Sequence, residues 1–202
     1  MDAYRTIAAA ASARLARKRS RFLAFVEPVV SQADVEMHLS AAKRAYHDAT
    51  HVCSAYRLLA DGTTIAFSDD DGEPHGSAGL PMLQQLEKAD LLNTLAIVVR
   101  YFGGVKLGVG GLIRAYTDAV AAALDTSRIV LRTLEITLLV TFPPAVHGQV
   151  MATIHRSGAQ VRQIMYDDNA RVHVGLPPSG VDGFVATLTE STGGQATVEV
   201  IG

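Results

Sequence analysis

The spacing of apolar and polar positions predicts a mixed series of strands and helices in the first two thirds of the chain. In order, the predicted elements are a strand at Arg21–Val30, a helix on which Val35, Leu39, Ala42 and Tyr46 recur, strands at His51–Ala60 and Thr63–Ser68, a helix near Pro81–Lys88, a strand over Leu95–Phe102 and a helix from Leu107. Ser31 and Asp34 predict a capping box, and Asp61-Gly62 predicts a tight hairpin.

Two of these elements carry most of the expected core. Leu95–Phe102 is rich in Val and Ile, which is typical of a strand buried on both faces. The helix from Leu107 is expected to bury the face that carries Ile113, Tyr116 or Thr117, Val120 and Leu124.

The last third of the chain predicts a second, smaller unit. Its elements are a strand at Glu135–Phe142, a helix from Pro143-Pro144 to Gly158, a hairpin of Val161–Tyr166 and Arg171–Leu176 around Asp167-Asp168-Asn169, a helix capped by Ser179 and Asp182 and ended by Gly193-Gly194, and a strand at Ala196–Ile201. This β-α-β-β-α-β order is ferredoxin-like. We therefore predict an α+β protein of two domains, residues 1–130 and 131–202.

Composition excludes several classes of protein. The chain has 202 residues and a formal net charge of −2, so it has no overall basic character of the kind that duplex-binding proteins show. No run of eighteen apolar residues is present, so we expect no membrane association, and the alanine-rich start lacks the pattern of a secretory signal. A single cysteine, Cys53, cannot form an internal disulfide. We expect a cytoplasmic protein and favour a monomer, with the oligomeric state left open.

A basic run near the start has two interpretations. It comprises Arg14, Arg17, Lys18, Arg19 and Arg21. The run is either an electrostatic contact for phosphate or a solvated helix end followed by the start of a strand. The second interpretation is favoured, because charge runs usually lie on solvated faces.

An acidic loop follows the first hairpin. It carries the carboxylates of Asp69, Asp70, Asp71 and Glu73, with His75 and Ser77 beside them. Carboxylates in such a group hold Mg²⁺ or Ca²⁺, cap helix N-termini, or pair with cations. The calcium-loop template fails, since its first position is Phe67 and its twelfth is Ala78. We favour capping, or pairing with Arg100, Lys106 or Arg114, and expect no metal and no cofactor.

A glycine-rich segment is the second candidate for a binding site. It contains Gly103, Gly104, Gly108, Gly110 and Gly111, with Lys106 and Arg114 as cations. Glycines that precede a helix let backbone N–H groups approach an anion. The segment matches neither the phosphate loop of nucleotide triphosphatases nor the dinucleotide fingerprint. The other interpretation is structural, with a tight turn at Gly103-Gly104 and close helix packing at the remaining three.

Three weaker signals surround these loops. His47, His51 and Cys53 do not match a zinc spacing, and Cys53 as a nucleophile needs a base that the sequence does not identify. The rings of Tyr101 and Phe102 beside Arg100 suit stacking on single-stranded bases, although alternation in a strand directs at least one ring into the core. No catalytic residue is assigned, and whether the protein is an enzyme is left open, with a non-enzymatic role favoured.

Four segments together resemble the IMPACT family in its bacterial YigZ-type form. They are RKRSRF at 17–22, HVCSAY at 51–56, SDDDGEPHGSAG at 68–79 and VVRYFGGVKLGVGGLIRAYTDAV at 98–120. The resemblance implies an N-terminal domain with the fold shared by small-subunit ribosomal proteins and GHMP kinases, and a C-terminal domain similar to the last domain of elongation factor G. Eukaryotic relatives bind a ribosome-associated activator and restrain a kinase that acts on an initiation factor. They carry a preceding RWD domain that this sequence lacks.

Sequence and resemblance together predict a translation-associated regulatory protein. It would bind RNA, the ribosome or a translation factor through a cleft between the acidic loop and the glycine-rich segment. In that cleft Arg100, Lys106 and Arg114 would receive phosphate. The alternatives are an Mg²⁺-dependent enzyme acting on a small phosphorylated or nucleotide-like ligand, and a pure protein-interaction module.

Overall fold

The computed structural model describes residues 1–60, 62–167 and 169–201. The chain divides into two compact units, one formed by Arg5–Arg132 and the other by Thr133–Gly202 with Met1–Tyr4. Helices and strands are mixed in both units, so the predicted α+β class with two domains is confirmed. Within the described residues, no helix combines the length and apolarity that crossing a membrane requires.

The larger unit is built on a five-stranded antiparallel sheet. Its elements are β1 (Ala3–Ile7), β2 (Ala11–Arg17), β3 (Ser20–Pro28), α1 (Gln32–Ala45), β4 (His51–Ala60), β5 (Thr63–Asp69), α2 (Gly79–Lys88), β6 (Thr94–Tyr101), α3 (Val109–Asp125) and β7 (Ile129–Thr133). The order across the main sheet is β2-β3-β6-β4-β5, and β1 pairs with β7 in a separate two-stranded sheet. These first and last strands of the unit, β1 and β7, each extend past its boundary by one or two residues.

Helices cover both faces of the main sheet, which explains the long apolar run in its central strand. One core lies between the sheet and the helices α2 and α3, and a smaller core lies on the face that α1 covers. As a result, every residue of β6 from Thr94 to Arg100 is buried. The strand predicted at Leu95–Phe102 is confirmed, as are the predicted helices and the strands on either side of Asp61-Gly62. Asp61 itself lies outside the described residues.

The predicted cap of the first helix is also confirmed. The Ser31 hydroxyl accepts a hydrogen bond from the Asp34 N–H at 3.1 Å, and the Asp34 carboxylate accepts one from Val30 N–H at 2.9 Å. These bonds hold the pKa of Asp34 below its ordinary value, the bond from Val30 being the main cause.

The basic run is not a helix end, so that part of the favoured interpretation was wrong, whereas the start of a strand at its end is confirmed, since β3 begins at Ser20. Residues 11–17 form β2, which pairs with β3 along its whole length, and Lys18-Arg19 make the turn between the two strands. Ala11, Ala13 and Leu15 alternate with exposed residues and pack on the core. The two-residue period of a strand is therefore present, but two of its three inward side chains are alanines.

The buried face of α3 is also shifted from the prediction. Ile113 is 37% exposed, whereas Leu112 is buried with Tyr116 and Val120. Gly110 and Gly111 precede Leu112, so the apolar pattern at this end of the helix is too sparse to fix the facing residue.

The smaller unit has the ferredoxin-like order that the sequence predicts. It contains β8 (Ile136–Phe142), a 3₁₀ turn at Pro144–Val146, α4 (His147–Ser157), β9 (Gln160–Tyr166), β10 (Ala170–Leu176), α5 (Pro178–Thr192) and β11 (Thr197–Val200). The strands form one antiparallel sheet in the order β11-β8-β10-β9. Asp168, in the predicted turn, lies outside the described residues.

One predicted cap in this unit was wrong. The helix α5 starts at Pro178, with Pro177 at its N-cap and no side-chain cap from Ser179. Proline favours the first helical turn because its φ is already helical and it has no N–H to satisfy. The Ser179 hydroxyl instead donates to the carboxylate of Asp2. The predicted helix stops at Gly158 and Gly193 are confirmed, and both glycines adopt left-handed backbone.

Candidate functional site

The acidic loop is held together by its own carboxylates. The Asp70 carboxylate accepts backbone N–H bonds from Gly76 at 2.7 Å, Ala78 at 3.0 Å and Gly79 at 2.9 Å. It therefore caps the N-terminus of α2 from a position nine residues before that helix begins. Burial raises the pKa of Asp70, but the three N–H bonds outweigh it and the pKa lies below its ordinary value.

Asp71 ties the acidic loop to the main sheet. Its Oδ2 accepts from the Val52 N–H at 2.7 Å, and its Oδ1 lies 3.2 Å from Lys43 Nζ. Its own N–H donates to Asp69 Oδ1 at 2.9 Å. Asp69, Asp70 and Asp71 thus form hydrogen bonds or ion pairs with groups in and around the loop. Among the described residues, none of them forms an ion pair with Lys106 or Arg114.

Glu73 behaves differently from its acidic neighbours, because it is buried in a polar cluster. Its Oε1 lies 2.5 Å from Arg100 Nη1 and accepts the Tyr116 hydroxyl at 2.7 Å. Both members of the ion pair are nearly inaccessible, with side-chain exposures of 3% for Glu73 and 6% for Arg100. Pairing of the acidic loop with Arg100, Lys106 or Arg114 was predicted, and among the described residues it is found between Glu73 and Arg100.

His51 extends this cluster on the other side of Glu73. In the register of β4 with β6, His51 lies directly opposite Arg100. Its Nδ1 lies 2.8 Å from the Asp71 carbonyl oxygen, and its Nε2 lies 3.8 Å from Glu73 Oε2. Since a carbonyl oxygen only accepts, Nδ1 carries the proton in this bond.

Cys53 packs behind the cluster as a structural residue. It is completely buried, with Sγ 3.0 Å from the Asp70 carbonyl oxygen and 3.3 Å from the Tyr116 hydroxyl. Burial raises the pKa of the Cys53 thiol to about 12. At neutral pH the group is a thiol, which is a poor nucleophile.

The two remaining residues of the acidic loop lie in opposite environments. His75 is fully exposed, 3.8 Å from Asp70 Oδ2. Ser77 is buried, and its hydroxyl finds no hydrogen-bond partner in the part of the chain that the structure describes.

The glycine-rich segment owes part of its composition to close backbone contact. A Cβ on Gly103 would lie 2.1 Å from the carbonyl carbon of Arg19, and the Gly103 N–H donates to the Ser20 hydroxyl at 3.2 Å. Gly104 and Gly108 have φ of +83° and +73°, which side-chain-bearing residues rarely adopt. Gly110 and Gly111 lie in the first turn of α3, where Gly110 has open space around it.

Cations surround this segment, and their environments differ. The turn residues Lys18 and Arg19 are exposed, as are Lys106 and Arg114. None of these four forms an ion pair within the described ranges. Arg100, by contrast, is compensated by Glu73 inside the protein.

A cavity of about 430 Å³ opens where the glycine-rich segment meets the polar cluster. Glu73, His51 and Arg100 contribute its polar groups, and Phe102, Leu107 and Leu112 contribute apolar wall. Lys106 and the start of α3 at Gly108-Val109 also line it, whereas Arg114 does not. The structure thus brings together Glu73, Arg100, Lys106 and Gly108 from the predicted set.

The aromatic residues of the Arg100-Tyr101-Phe102 stretch are divided as alternation requires. Tyr101 packs against the core on the α1 side and lies under the guanidinium of Arg21, 4.7 Å from the ring centroid. Phe102 is 45% exposed, and the Arg100 guanidinium lies 5.5 Å from its centroid.

Sequence reasoning missed His51, Tyr116 and Ser20 as members of this region. His51 was weighed only as a zinc ligand, and Tyr116 only as a core residue. Their proximity to Glu73 follows from the β4–β6 register and from the packing of α3, neither of which leaves a local signal in the sequence. No group of three or more His, Cys, Asp or Glu side chains in residues 1–60, 62–167 and 169–201 is arranged to hold a metal ion.

Comparisons with known proteins agree with the resemblance seen in the sequence. The Impact N-terminal domain matches residues 18–124, and a domain of unknown function (DUF1949) matches residues 140–195. The IMPACT family member YvyE of Bacillus subtilis is 32% identical over 199 residues, which cover 98% of this chain and 91% of that protein. The IMPACT family member YigZ of Escherichia coli is 39% identical over 109 residues, which cover 53% of each chain.

A solved structure described as a crystal structure of an hypothetical protein has the same fold. It superimposes with a TM-score of 0.72 at 27% identity and covers 100% of this chain and 98% of its own. With the two matched domains in the same order, these likenesses establish that the chain belongs to the IMPACT family, in its YigZ-type form.

Proposed function

We propose that this protein is a translation-associated regulator that binds RNA through the surface formed by the hairpin turn at Lys18-Arg19 and the glycine-rich segment with Lys106. We call this surface the cationic rim. The observation that carries the proposal is the exposure of these three cations on two turns that touch, with no carboxylate paired to any of them among the described residues.

The hairpin turn supplies a second reason. Lys18 and Arg19 have φ of +43° and +69°, in a two-residue connection where Asn and Gly are the favoured types. Left-handed backbone costs such residues roughly 1 kcal/mol or more each. Local strain that is retained at two adjacent cations is expected where the charges themselves are useful.

The start of α3 adds to the attraction for phosphate. This helix has 17 residues, and Gly108 at its N-cap provides no side-chain acceptor for the first N–H groups. Those groups and the helix dipole favour an anion near Lys106. Phosphate contacts of this kind provide affinity without sequence preference.

The enzyme alternative receives less support. Divalent-metal chemistry needs carboxylate oxygens that are available to the ion, and those of Asp70 and Asp71 already accept backbone hydrogen bonds. Glu73 Oε1 is likewise engaged with Arg100 and Tyr116, so this residue has only Oε2 left for a ligand.

Charge reversal tests the proposal. Binding of a fluorescent single-stranded RNA and co-sedimentation with ribosomes would be measured at several salt concentrations. The rim variant carries Lys18→Glu, Arg19→Glu and Lys106→Glu. The matched control carries Arg44→Glu, Lys88→Glu and Arg132→Glu, three exposed cations outside the rim with the same change in net charge.

The rim variant is expected to bind more than tenfold more weakly and to lower the salt slope of log K by about 2, since each lost phosphate contact on a single strand removes about 0.7. The control is expected to retain most of the affinity. Equal weakening in both variants would contradict the proposal, and unchanged binding by the rim variant would also do so. If wild type binds neither RNA nor ribosomes, a protein partner replaces RNA as the interpretation.

A further inference from the structure

The cavity behind the cationic rim has features that phosphate binding does not use. Its volume of about 430 Å³ lies within the roughly 300–1,000 Å³ of small-molecule sites. Phe102 presents a half-exposed ring at one side, and Leu107 and Leu112 form apolar wall. Such a lining suits a flat aromatic ring rather than a phosphate.

Glu73 and His51 place two hydrogen-bond acceptors at the polar end of the cavity, beside the guanidinium of Arg100. Glu73 Oε1 is occupied by Arg100 and Tyr116, which leaves Oε2. His51 Nδ1 donates to the Asp71 carbonyl, so Nε2 is the ring nitrogen left to accept a hydrogen bond. Oε2 and Nε2 lie 3.8 Å apart, beyond hydrogen-bond distance but close enough for one amino group to bond to both.

Other lining residues of the cavity are suited to an anion. They are Lys106 and the first residues of α3. A ligand that satisfies all of these groups therefore has an amino group, a planar ring and a phosphate.

We propose that this cavity binds one unstacked nucleobase that carries an exocyclic amino group, as adenine, cytosine and guanine do and uracil does not. The ring stacks on Phe102, the amino group donates to Glu73 Oε2 and His51 Nε2, and the phosphate of the same nucleotide meets Lys106 and the α3 N-terminus. If the base belongs to RNA, this inference rests on the proposed function, because the cationic rim would bind the strand beside the cavity.

The chemistry predicts selectivity of a defined kind. Uracil presents a carbonyl oxygen where cytosine presents its amino group, so an oxygen would face two acceptors. A base-edge contact of this type is expected to discriminate by about tenfold in affinity. Stacking on one aromatic side chain contributes a similar factor for every base.

Homopolymer binding tests the inference. Fluorescent oligomers of adenylate, cytidylate and uridylate would be titrated with wild type, Phe102→Ala, Glu73→Gln and the rim variant. Phe67→Ala is the matched control, because Phe67 is 49% exposed on β5 and does not line this cavity. Binding of free AMP, CMP and UMP would be measured by calorimetry in parallel.

Wild type is expected to prefer adenylate and cytidylate over uridylate by about tenfold. Phe102→Ala is expected to weaken all three by about tenfold, and Phe67→Ala to change none. Glu73→Gln should abolish the preference while leaving uridylate binding in place. The rim variant should weaken all oligomers and keep the preference. If Glu73→Gln does not fold, Phe102→Ala still tests whether the base stacks on this ring, because Phe102 is at an exposed position.

RNA and free nucleotides, the two sources from which the base could come, give outcomes that can be distinguished. If AMP and CMP bind in a Phe102-dependent manner and no RNA binds, the cavity is a free-nucleotide site and the RNA function fails while the base site stands. If RNA binds without base preference and Phe102→Ala has no effect, the base site is refuted and the RNA function stands. Absence of binding by both nucleotides and RNA overturns both.

Discussion

The acidic loop and the glycine-rich segment are similar in sequence and opposite in their use of charge. Both are dense in glycine and in like charges. In the acidic loop, Asp70, Asp71 and Glu73 are all engaged within the protein, with backbone N–H groups and cations as partners. In the glycine-rich segment, Lys106 is exposed and forms no ion pair in the described part of the chain.

This difference shows why a cluster of charges in a sequence does not by itself indicate a binding surface. A buried N–H group left without a partner costs about 1–3 kcal/mol, so a short loop folded over a sheet benefits from carboxylates placed to accept. Backbone carbonyls accept mostly from other backbone groups, so a cationic side chain finds fewer free hydrogen-bond acceptors inside the protein. Charges that remain exposed are the better candidates for a ligand.

The largest effect is expected at the buried ion pair. Glu73→Ala removes the partner of Arg100 and leaves a buried guanidinium uncompensated, which destabilises by about 3–5 kcal/mol. Urea denaturation followed by circular dichroism measures the loss. Glu36→Ala, at an exposed position of α1, is the control and is expected to change stability by less than about 0.5 kcal/mol.

A double variant sharpens this test. Glu73→Met with Arg100→Met removes both charges, and the loss is expected to be smaller than the sum of the single losses because no buried charge remains. Additive losses would mean that the two side chains do not act as a pair.

The second effect concerns the distant cap of α2. Asp70→Ala leaves the N–H groups of Gly76, Ala78 and Gly79 without their acceptor, and we expect a loss of about 2–3 kcal/mol. Asp69→Ala removes a single bond to the Asp71 N–H and is expected to cost about 0.5–1 kcal/mol. Equal losses in the two variants would refute the role of Asp70 as a cap.

The same residue predicts a pH dependence. The pKa of Asp70 in the folded protein is below its ordinary value of 3.8, so its contribution is fully present above that pH and is lost as the pH falls below it. Asp70→Asn has no such carboxylate. The stability gap between wild type and Asp70→Asn is therefore expected to be constant from pH 7 to about pH 5 and to narrow as the pH falls below about 4 in urea titrations. A gap that stays constant over the whole range would contradict the assignment.

The third effect separates glycines that the fold requires from one that it does not. Gly103→Ala forces a Cβ against the backbone of Arg19 and is expected to destabilise by about 1–3 kcal/mol. Gly110→Ala meets open space within the first turn of α3 and is expected to stabilise by about 0.5–1 kcal/mol. Thermal denaturation of both variants is the measurement. A destabilised Gly110→Ala would point to a packing role that the geometry does not contain.

The smallest effect is expected at the hairpin turn. Replacing Lys18-Arg19 by Asn-Gly relieves two left-handed residues and is expected to stabilise the protein by about 1 kcal/mol. The same change removes two cations from the cationic rim, so RNA affinity is expected to fall while stability rises. If this variant loses both stability and RNA affinity, or loses neither, the strain of this turn is unrelated to any function of its charges.

Much of the fold was predictable because its signals are local. The Val- and Ile-rich run of β6, the helix stop at Gly158 and the Ser31 cap each depend on residues within one element. The strand β2 was missed because its inward positions are filled by Ala11, Ala13 and Leu15, while its arginines drew attention to charge. The start of α5 was misassigned because two signals overlapped, and Pro178 prevailed over Ser179.

The candidate site was predictable only in part. Pairing between the acidic loop and the basic set was anticipated, but not which residues would pair. Glu73 and Arg100 are 27 positions apart, and Glu73 and Tyr116 are 43 apart. Their meeting depends on how β4 pairs with β6 and how α3 packs on the sheet, and a one-residue change of register would direct Arg100 to the other face.

The two α+β units, the family and the two loops of unusual composition could all be read from the sequence. These follow from periodicity, turn chemistry and motifs, all of which operate over a few residues. Which charges are compensated, which are exposed and where a cavity forms beside Phe102 became visible in the folded chain alone. The reason is that a side chain's hydrogen-bond partners and its access to water depend on residues that are distant along the chain, and the sheet brings these together.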